Sequence, residues 1–149
     1  MNVQLRRILL VEDNPNDAEL TMEALTEHKL ANRVDWVKDG VEALDYLYCR
    51  GKYADRNDAP PAVILLDLKL PKVDGREVLR IIKADEQYRI TPVVVLTSSR
   101  EEQDMIESYR LGVNAYVVKP VNFHDFIDAV KELGAFWAIV NEPPPAKRR

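Results

Sequence analysis

Cysteine is all but missing, since Cys49 is the sole thiol in 149 residues. One chain therefore cannot close an intramolecular disulfide or build a thiolate cage around a metal. Long apolar runs are missing too. None approaches the roughly 20 residues needed to cross a bilayer, and the start, where Arg6 and Arg7 lead at once into Ile8-Leu9-Leu10-Val11, lacks a signal-peptide pattern. A cytoplasmic protein without membrane contact is the expectation. Basic clusters are also lacking. The net charge is −4 and the Lys and Arg residues are scattered, the opposite of the footprint that nonspecific nucleic-acid binding requires. Glycine stands at five positions, none arranged as a Gly-Lys-Ser/Thr phosphate loop or a dinucleotide glycine motif.

What is present is an alternation, five times over, of short apolar runs with longer segments of helical period. The runs are Ile8 to Val11, Val34 to Val37, Val63 to Leu66, Val93 to Leu96 and Tyr116 to Val118. Runs apolar at successive positions fit strands covered on both faces of a parallel α/β sheet. Val34-Asp35-Trp36-Val37 alternates instead, as an edge strand does. Helix starts are marked by Asn14 before Pro15, Asp74 before Gly75 and Asn122 before Phe123. The first helix places Ala18, Leu20, Ala24 and Leu25 on a core stripe, and the last does so with Phe126, Ile127, Val130 and Leu133. Gly112 reads as the stop of the fourth helix and Gly51 as the stop of the second, opening an irregular stretch to Pro61, the longest loop. Residues 1–140 are expected to form one domain. Residues 141–149, with Pro143-Pro144-Pro145 and a basic end, read as a disordered tail.

Right-handed βα units wind helices onto both faces of a sheet and place the site beyond the carboxyl ends of the strands. There stand Glu12 and Asp13 after the first strand and Asp67 after the third. Singly, each has a bland explanation: Glu12 and Asp13 favour the positive end of the first helix, and Asp67 is a turn residue. Together they converge. Carboxylates about 6 Å apart at an effective dielectric near 20 repel by about 3 kcal/mol per pair. A hard divalent cation removes that repulsion, and Mg2+, held by one or two carboxylates with a phosphate oxygen, is the natural candidate. The ends of the fourth and fifth strands add Thr97-Ser98-Ser99 and Lys119-Pro120. A phosphoryl group on Asp67 carries roughly −1.5 to −2 of charge, which Lys119, Thr97 and the metal can share. Taken one at a time, Lys119 is an ordinary surface lysine and Thr97 an ordinary strand end; the combination carries the weight.

Glu12-Asp13, Asp67, Thr97-Ser98, Tyr116 and Lys119-Pro120 stand in the order and strand-end positions of the receiver domain of bacterial two-component response regulators. The stretch from Arg7 to Trp137 resembles that family. The resemblance implies a flavodoxin-like (βα)5 fold with a five-stranded parallel sheet in order 2-1-3-4-5. It also implies phosphorylation of Asp67 by a partner histidine kinase, with Thr97, Ser98 and Lys119 around the phosphoryl group. Mg2+ is then held by Asp13, Asp67 and the main-chain carbonyl of Lys69, with Glu12 reached through water. The Lys119-Pro120 bond is commonly cis in this family. The stretch Leu65-Leu66-Asp67-Leu68-Lys69-Leu70-Pro71-Lys72-Val73-Asp74-Gly75-Arg76-Glu77-Val78-Leu79, the enlarged loop before Pro61 and Phe136-Trp137 resemble the small receivers paired with bacterial phytochromes. That implies a phytochrome kinase as donor and a homodimer through the fourth helix, fifth strand and fifth helix. Such a contact uses Met105, Tyr109, Phe136 or Trp137 where they are exposed, and periodicity alone fits their burial in the core equally well.

In such a domain Thr97 and Tyr116 form the switch: a hydroxyl drawn to the phosphoryl group opens space into which the aromatic ring turns. The outlets open to a stand-alone receiver are docking, passing the group to a histidine phosphotransfer protein, or acting as a phosphate sink. Two other readings compete. A haloacid-dehalogenase-type phosphohydrolase also uses a strand-end Asp with Mg2+, but it needs a second acid two residues on, where this chain has Lys69. A flavodoxin-like flavin carrier needs a first loop hospitable to phosphate, and Glu12-Asp13-Asn14-Pro15-Asn16-Asp17 is acidic.

Overall fold

The computed structural model describes residues 5–27, 31–56, 60–98, 101–113, 115–119 and 124. Strands β1 (Leu5–Val11), β2 (Ala31–Val37), β3 (Val63–Leu66), β4 (Val93–Thr97) and β5 (Ala115–Val118) form one parallel sheet in the order β2-β1-β3-β4-β5. Helices α1 (Pro15–Glu27), α2 (Gly40–Leu47), α3 (Gly75–Ala84) and α4 (Glu102–Arg110) connect them, with a 3-10 turn at Gly51–Tyr53. Every apolar run becomes a strand. β1 and β2 extend further back because their backbones go on pairing, Leu5 with Ala31 and Arg7 with Arg33, where the side chains are no longer uniformly apolar.

Alternation along the strands feeds two cores. Leu9, Val11, Ile64, Leu66, Val93 and Val95 meet Tyr46 and Leu47 of α2 and Val78, Leu79 and Ile82 of α3. Ile8, Leu10, Val63, Leu65, Val94 and Leu96 meet Ala18 and Leu25 of α1 on the other face. Each fully buried aliphatic side chain is worth about 1.5–3 kcal/mol in transfer free energy, so coverage of both faces is what demands unbroken apolar strands at the centre. β2 pairs only with β1 and carries exposed Arg33 and partly exposed Asp35, as an edge does.

The helix starts follow the capping rules. Asn14 Oδ1 accepts from the amides of Asn16 and Asp17 at 2.9 and 3.1 Å, with Pro15 at the first helical position. Asp74 Oδ1 accepts from the Arg76 amide at 2.8 Å. Asp74→Ala is expected to cost about 1 kcal/mol, lowering the melting temperature by roughly 2–4 °C; thermal unfolding followed by circular dichroism checks it.

Two expectations need correction. Leu20 is 58% exposed, while Thr21 is buried with Ala18 and Leu25. At 3.6 residues per turn Leu20 lies about 200° from Ala18, nearly opposite the stripe, whereas Thr21 and Leu25 stay close to it. The second helix ends at Leu47 with Tyr48 as its cap, not at Gly51. Cys49 takes the left-handed conformation (φ 55) expected of a glycine, and Gly51 (φ 57) opens the 3-10 turn instead. Tyr53 and Arg56 are tied back to α2, the Tyr53 hydroxyl donating to Glu42 at 2.9 Å and Arg56 Nε to the Tyr46 carbonyl at 2.9 Å. Gly112 (φ 101) does follow α4, whose cap is Leu111. The Asn122 cap, the last-helix stripe, Phe136-Trp137, the tail, Ser99 and the Lys119-Pro120 bond fall outside the described residues.

Candidate functional site

Backbone pairing brings the strand ends together. The Glu12 amide donates to the Val37 carbonyl at 3.0 Å, the Asp67 amide to the Val11 carbonyl at 3.0 Å, and the Lys119 amide to the Thr97 carbonyl at 2.8 Å. Residues from β1, β3, β4 and β5 thus share one rim. Two glycines set the loop behind Asp67. A Cβ at Gly75 would lie 2.2 Å from the Asp67 carbonyl oxygen, and one at Gly40 2.1 Å from that of Val73. The start of α3 therefore presses on the backbone of Asp67 and Leu68, and the start of α2 on Val73 farther along the same loop.

Glu12, Asp13 and Asp67 each offer a carboxylate oxygen, and the three oxygens lie within 4.8 Å of one another. Glu12 and Asp67 are almost fully buried, at 2% and 5% exposure, and Asp13 is exposed. At that spacing and an effective dielectric near 20, each like-charged pair costs about 3 kcal/mol or more. Lys119 offsets this. Its Nζ lies 2.6 Å from Glu12 Oε1, 2.9 Å from Asp67 Oδ2 and 3.0 Å from Asp17 Oδ2. Main-chain donors add to the neutralisation, with the Asn14 amide on Glu12 Oε2 at 3.1 Å and the Lys69 amide on Asp67 Oδ1 at 3.2 Å. Trp36 Nε1 donates to the Glu12 carbonyl at 2.7 Å and fixes that turn from the edge strand.

The electrostatics record the crowding. Burial pushes the Glu12 carboxyl up, to about 7, and the charge of Asp67 adds to the rise, while contacts from Lys119 and the Asn14 amide pull it back. Burial works against the Lys119 ammonium, yet hydrogen bonds to Glu12, Asp67 and Asp17 outweigh it and raise its pKa above the ordinary lysine value. Carboxylate oxygens this close, two of them buried, form the oxygen donor set that a hard divalent cation takes.

The response-regulator receiver domain model matches residues 8–131. The chain belongs to the response-regulator receiver family. This receiver is similar to the bacteriophytochrome response regulator RtBRR, with 58% identity and a TM-score of 0.82 over 95% of this chain and 86% of that one. Response regulator Rcp1 of Synechocystis sp. is 43% identical over 130 residues, 87% of each chain. The crystal structure of its Mn(2+)-bound form superposes with a TM-score of 0.75 and 39% identity, over 95% of this chain and 99% of that one. The crystal structure of the phosphorylated cyanobacterial phytochrome response regulator RcpA gives a TM-score of 0.76 at 44% identity, over 93% and 97% of the two chains. The flavodoxin-like sheet order 2-1-3-4-5 expected from the sequence is the observed one.

The other residues expected at the site from the sequence sort by place. Thr97 is fully buried at the end of β4, and Ser98 beside it is exposed. Tyr116 is half-buried against the core that contains Val93 and Val95. Val95 pairs with Tyr116 and Thr97 with Val118, so Thr97 and Tyr116 share one face of the sheet, offset by one alternation. Exposed Lys69 follows Asp67 in the loop. Asp17 had not been singled out. The signal for it was present, since it is an acid in the first turn of α1 four residues after Asp13, but its partner Lys119 lies 102 residues away. A further ion pair joins α3 to α4, Arg76 Nη1 to Asp104 Oδ1 at 3.2 Å.

Proposed function

We propose that this receiver accepts a phosphoryl group on Asp67 from a partner histidine kinase in the cytoplasm, with Mg2+ at Asp13, Asp67 and the main-chain carbonyl of Lys69 and with Glu12 reached through water. The observation that carries this reading is the buried Asp67 carboxylate set within 4.8 Å of the Glu12 and Asp13 oxygens and held by Lys119. An Asp67 oxygen forms a bond to phosphorus as the bond between phosphorus and the kinase histidine breaks, and the freed imidazole departs with the kinase. When bound, the cation neutralises the converging carboxylates and the transferring oxygens. Lys119 pairs with the phosphoryl group and the Thr97 hydroxyl donates to it, with Ser98 at the rim. These contacts supply positioning and charge neutralisation, which is most of what phosphoryl transfer requires.

The similarity to RtBRR, Rcp1 and RcpA supports a phytochrome kinase as donor. Draw of Thr97 toward the phosphoryl group shifts Tyr116 and the face of α4 and β5, where Met105 and Tyr109 are exposed. The phosphoryl group biases this equilibrium only by its difference in interaction energy between the two states. A homodimer through that face, and transfer to a histidine phosphotransfer protein, are the proposed outlets. Tyr116→Ala is expected to take up phosphate normally but to lose phosphorylation-dependent partner binding, measured by calorimetry with and without modification.

Intact mass after incubation with acetyl phosphate tests the reading. One labile adduct that needs Mg2+ and disappears with a chelator is expected; steady turnover of small phosphate esters would overturn it. Cation binding is also expected to be proton-linked. Glu12 is raised from 4.5 to about 7, so the cation-free folded state binds the extra proton between those values and its stability falls as pH rises through that window. A cation must displace that proton. Apparent Mg2+ affinity should therefore rise by up to about tenfold per pH unit below 7 and level off above it. Calorimetric titration in buffers of different ionisation heat reads the released proton directly.

A further inference from the structure

Of the three carboxylates that hold Lys119, Glu12 and Asp67 belong to the group able to bind a cation, and Asp17 does not. A cation entering that group draws on the same negative charge and so weakens the hold of Glu12 and Asp67 on Lys119. The ammonium, with an Nζ already 3.0 Å from Asp17 Oδ2, has there, among the described residues, a carboxylate contact outside the cation's group. Asp17 is well placed to provide it: its backbone is anchored by the Asn14 side chain at the start of α1, and its carboxylate is 38% exposed, so solvent accommodates its charge when the lysine leaves.

We propose that Asp17 is a positioning residue that retains Lys119 beside the site when a divalent cation neutralises Glu12 and Asp67, and yields it to the phosphoryl group afterwards. The inference rests on the phosphoacceptor reading of Asp67. It makes the lysine a shuttle between two anions rather than a fixed counter-ion. It also assigns Asp17 effects of opposite sign on cation and anion. Without Asp17, Lys119 falls back on Glu12 and Asp67 and opposes the cation more strongly. Once the cation neutralises Glu12 and Asp67, the lysine has no third carboxylate to leave and meets an incoming anion at less cost.

The test is Asp17→Asn, with Glu19→Gln on the exposed side of the same helix as a control for charge. Calorimetry is expected to show Mg2+ binding about threefold weaker in Asp17→Asn, and beryllium trifluoride binding at saturating Mg2+ about threefold tighter, the scale of a partly exposed ion pair. Glu19→Gln should move neither by as much. The same substitution in a Lys119→Met background separates positioning from bare charge, because an effect routed through the lysine vanishes there. The Mg2+ dependence of the melting temperature reads the same affinities for variants that are less stable without the cation. Equal binding in wild type and Asp17→Asn, changes of the same sign, or an Mg2+ effect that survives in the Lys119→Met background would each overturn the proposal. Failure of the wild type to bind beryllium trifluoride with Mg2+ would instead overturn the phosphoacceptor reading beneath it.

Discussion

Gly75→Ala is expected to lower stability by about 3 kcal/mol or more, a fall of roughly 6–12 °C in melting temperature for a domain of this size. The added Cβ would lie 2.2 Å from the Asp67 carbonyl oxygen and 2.6 Å from both Cα and the carbonyl oxygen of Leu68. These neighbours are backbone, so no rotamer change relieves the clash. The loop must move, and the amide of Gly75, which donates to the Leu68 carbonyl at 2.8 Å, moves with it. The same displacement shifts Asp67 relative to Glu12 and Asp13, so cation affinity should fall together with stability. Gly112→Ala is the control. That residue has positive φ but only the Lys83 methylenes within 4 Å, the nearest at 3.6 Å. Its expected cost is therefore the strain of a left-handed alanine alone, about 1–2 kcal/mol, with cation affinity unchanged. Chemical denaturation of the two variants, each with and without Mg2+, separates the outcomes. Equal losses in the two would show that the loop behind Asp67 has room.

Lys119→Met is expected to destabilise the cation-free protein by about 3–5 kcal/mol, the usual result of removing one member of a buried ion pair. Its ammonium is mostly buried and is shared by Glu12, Asp67 and Asp17. Without it Glu12 and Asp67 face each other with, among the described residues, the Asn14 and Lys69 main-chain amides to offset their charge. Saturating Mg2+ should restore most of the lost stability, because a cation in the same place does the same electrostatic work. Acid should restore part of it. Glu12 takes up a proton as pH falls below about 7 in the native protein, and the variant, lacking the lysine that pulls its pKa down, should do so at a higher pH still. A loss that is indifferent to both Mg2+ and pH would mean that Lys119 contributes packing rather than charge.

Much of this site is legible in the chain because of where its residues fall relative to apolar runs. Val63 to Leu66 can only be a strand buried on both faces, so Asp67 must emerge at its carboxyl end. The same reasoning places Glu12 after Val11 and Lys119 after Val118. Parallel pairing then does the rest, since every strand of such a sheet ends on the same rim. Asp17 escaped because its role depends on an ammonium at the far end of the fold, and an acid in a first helical turn already has a sufficient local explanation in the helix dipole. Leu20 was misplaced for a simpler reason. A helical stripe read from the positions of leucines gives no weight to a threonine, and Thr21 is the residue that turns inward. Cys49 shows the limit of turn rules: the Arg50 amide donates to the Asp45 carbonyl at 2.8 Å and the Cys49 amide to the Tyr46 carbonyl at 3.4 Å, closing α2 through a left-handed residue that is not glycine.

The account stands on Asp67 as the residue that bonds to phosphorus. Mass analysis of wild type, Asp13→Asn and Asp67→Asn after exposure to acetyl phosphate and Mg2+ tests that most directly. A single phosphoryl adduct in the wild type, a slow and metal-impaired one in Asp13→Asn, and none in a folded Asp67→Asn protein are the predicted results. An adduct of undiminished yield in Asp67→Asn would place the chemistry elsewhere and contradict the account.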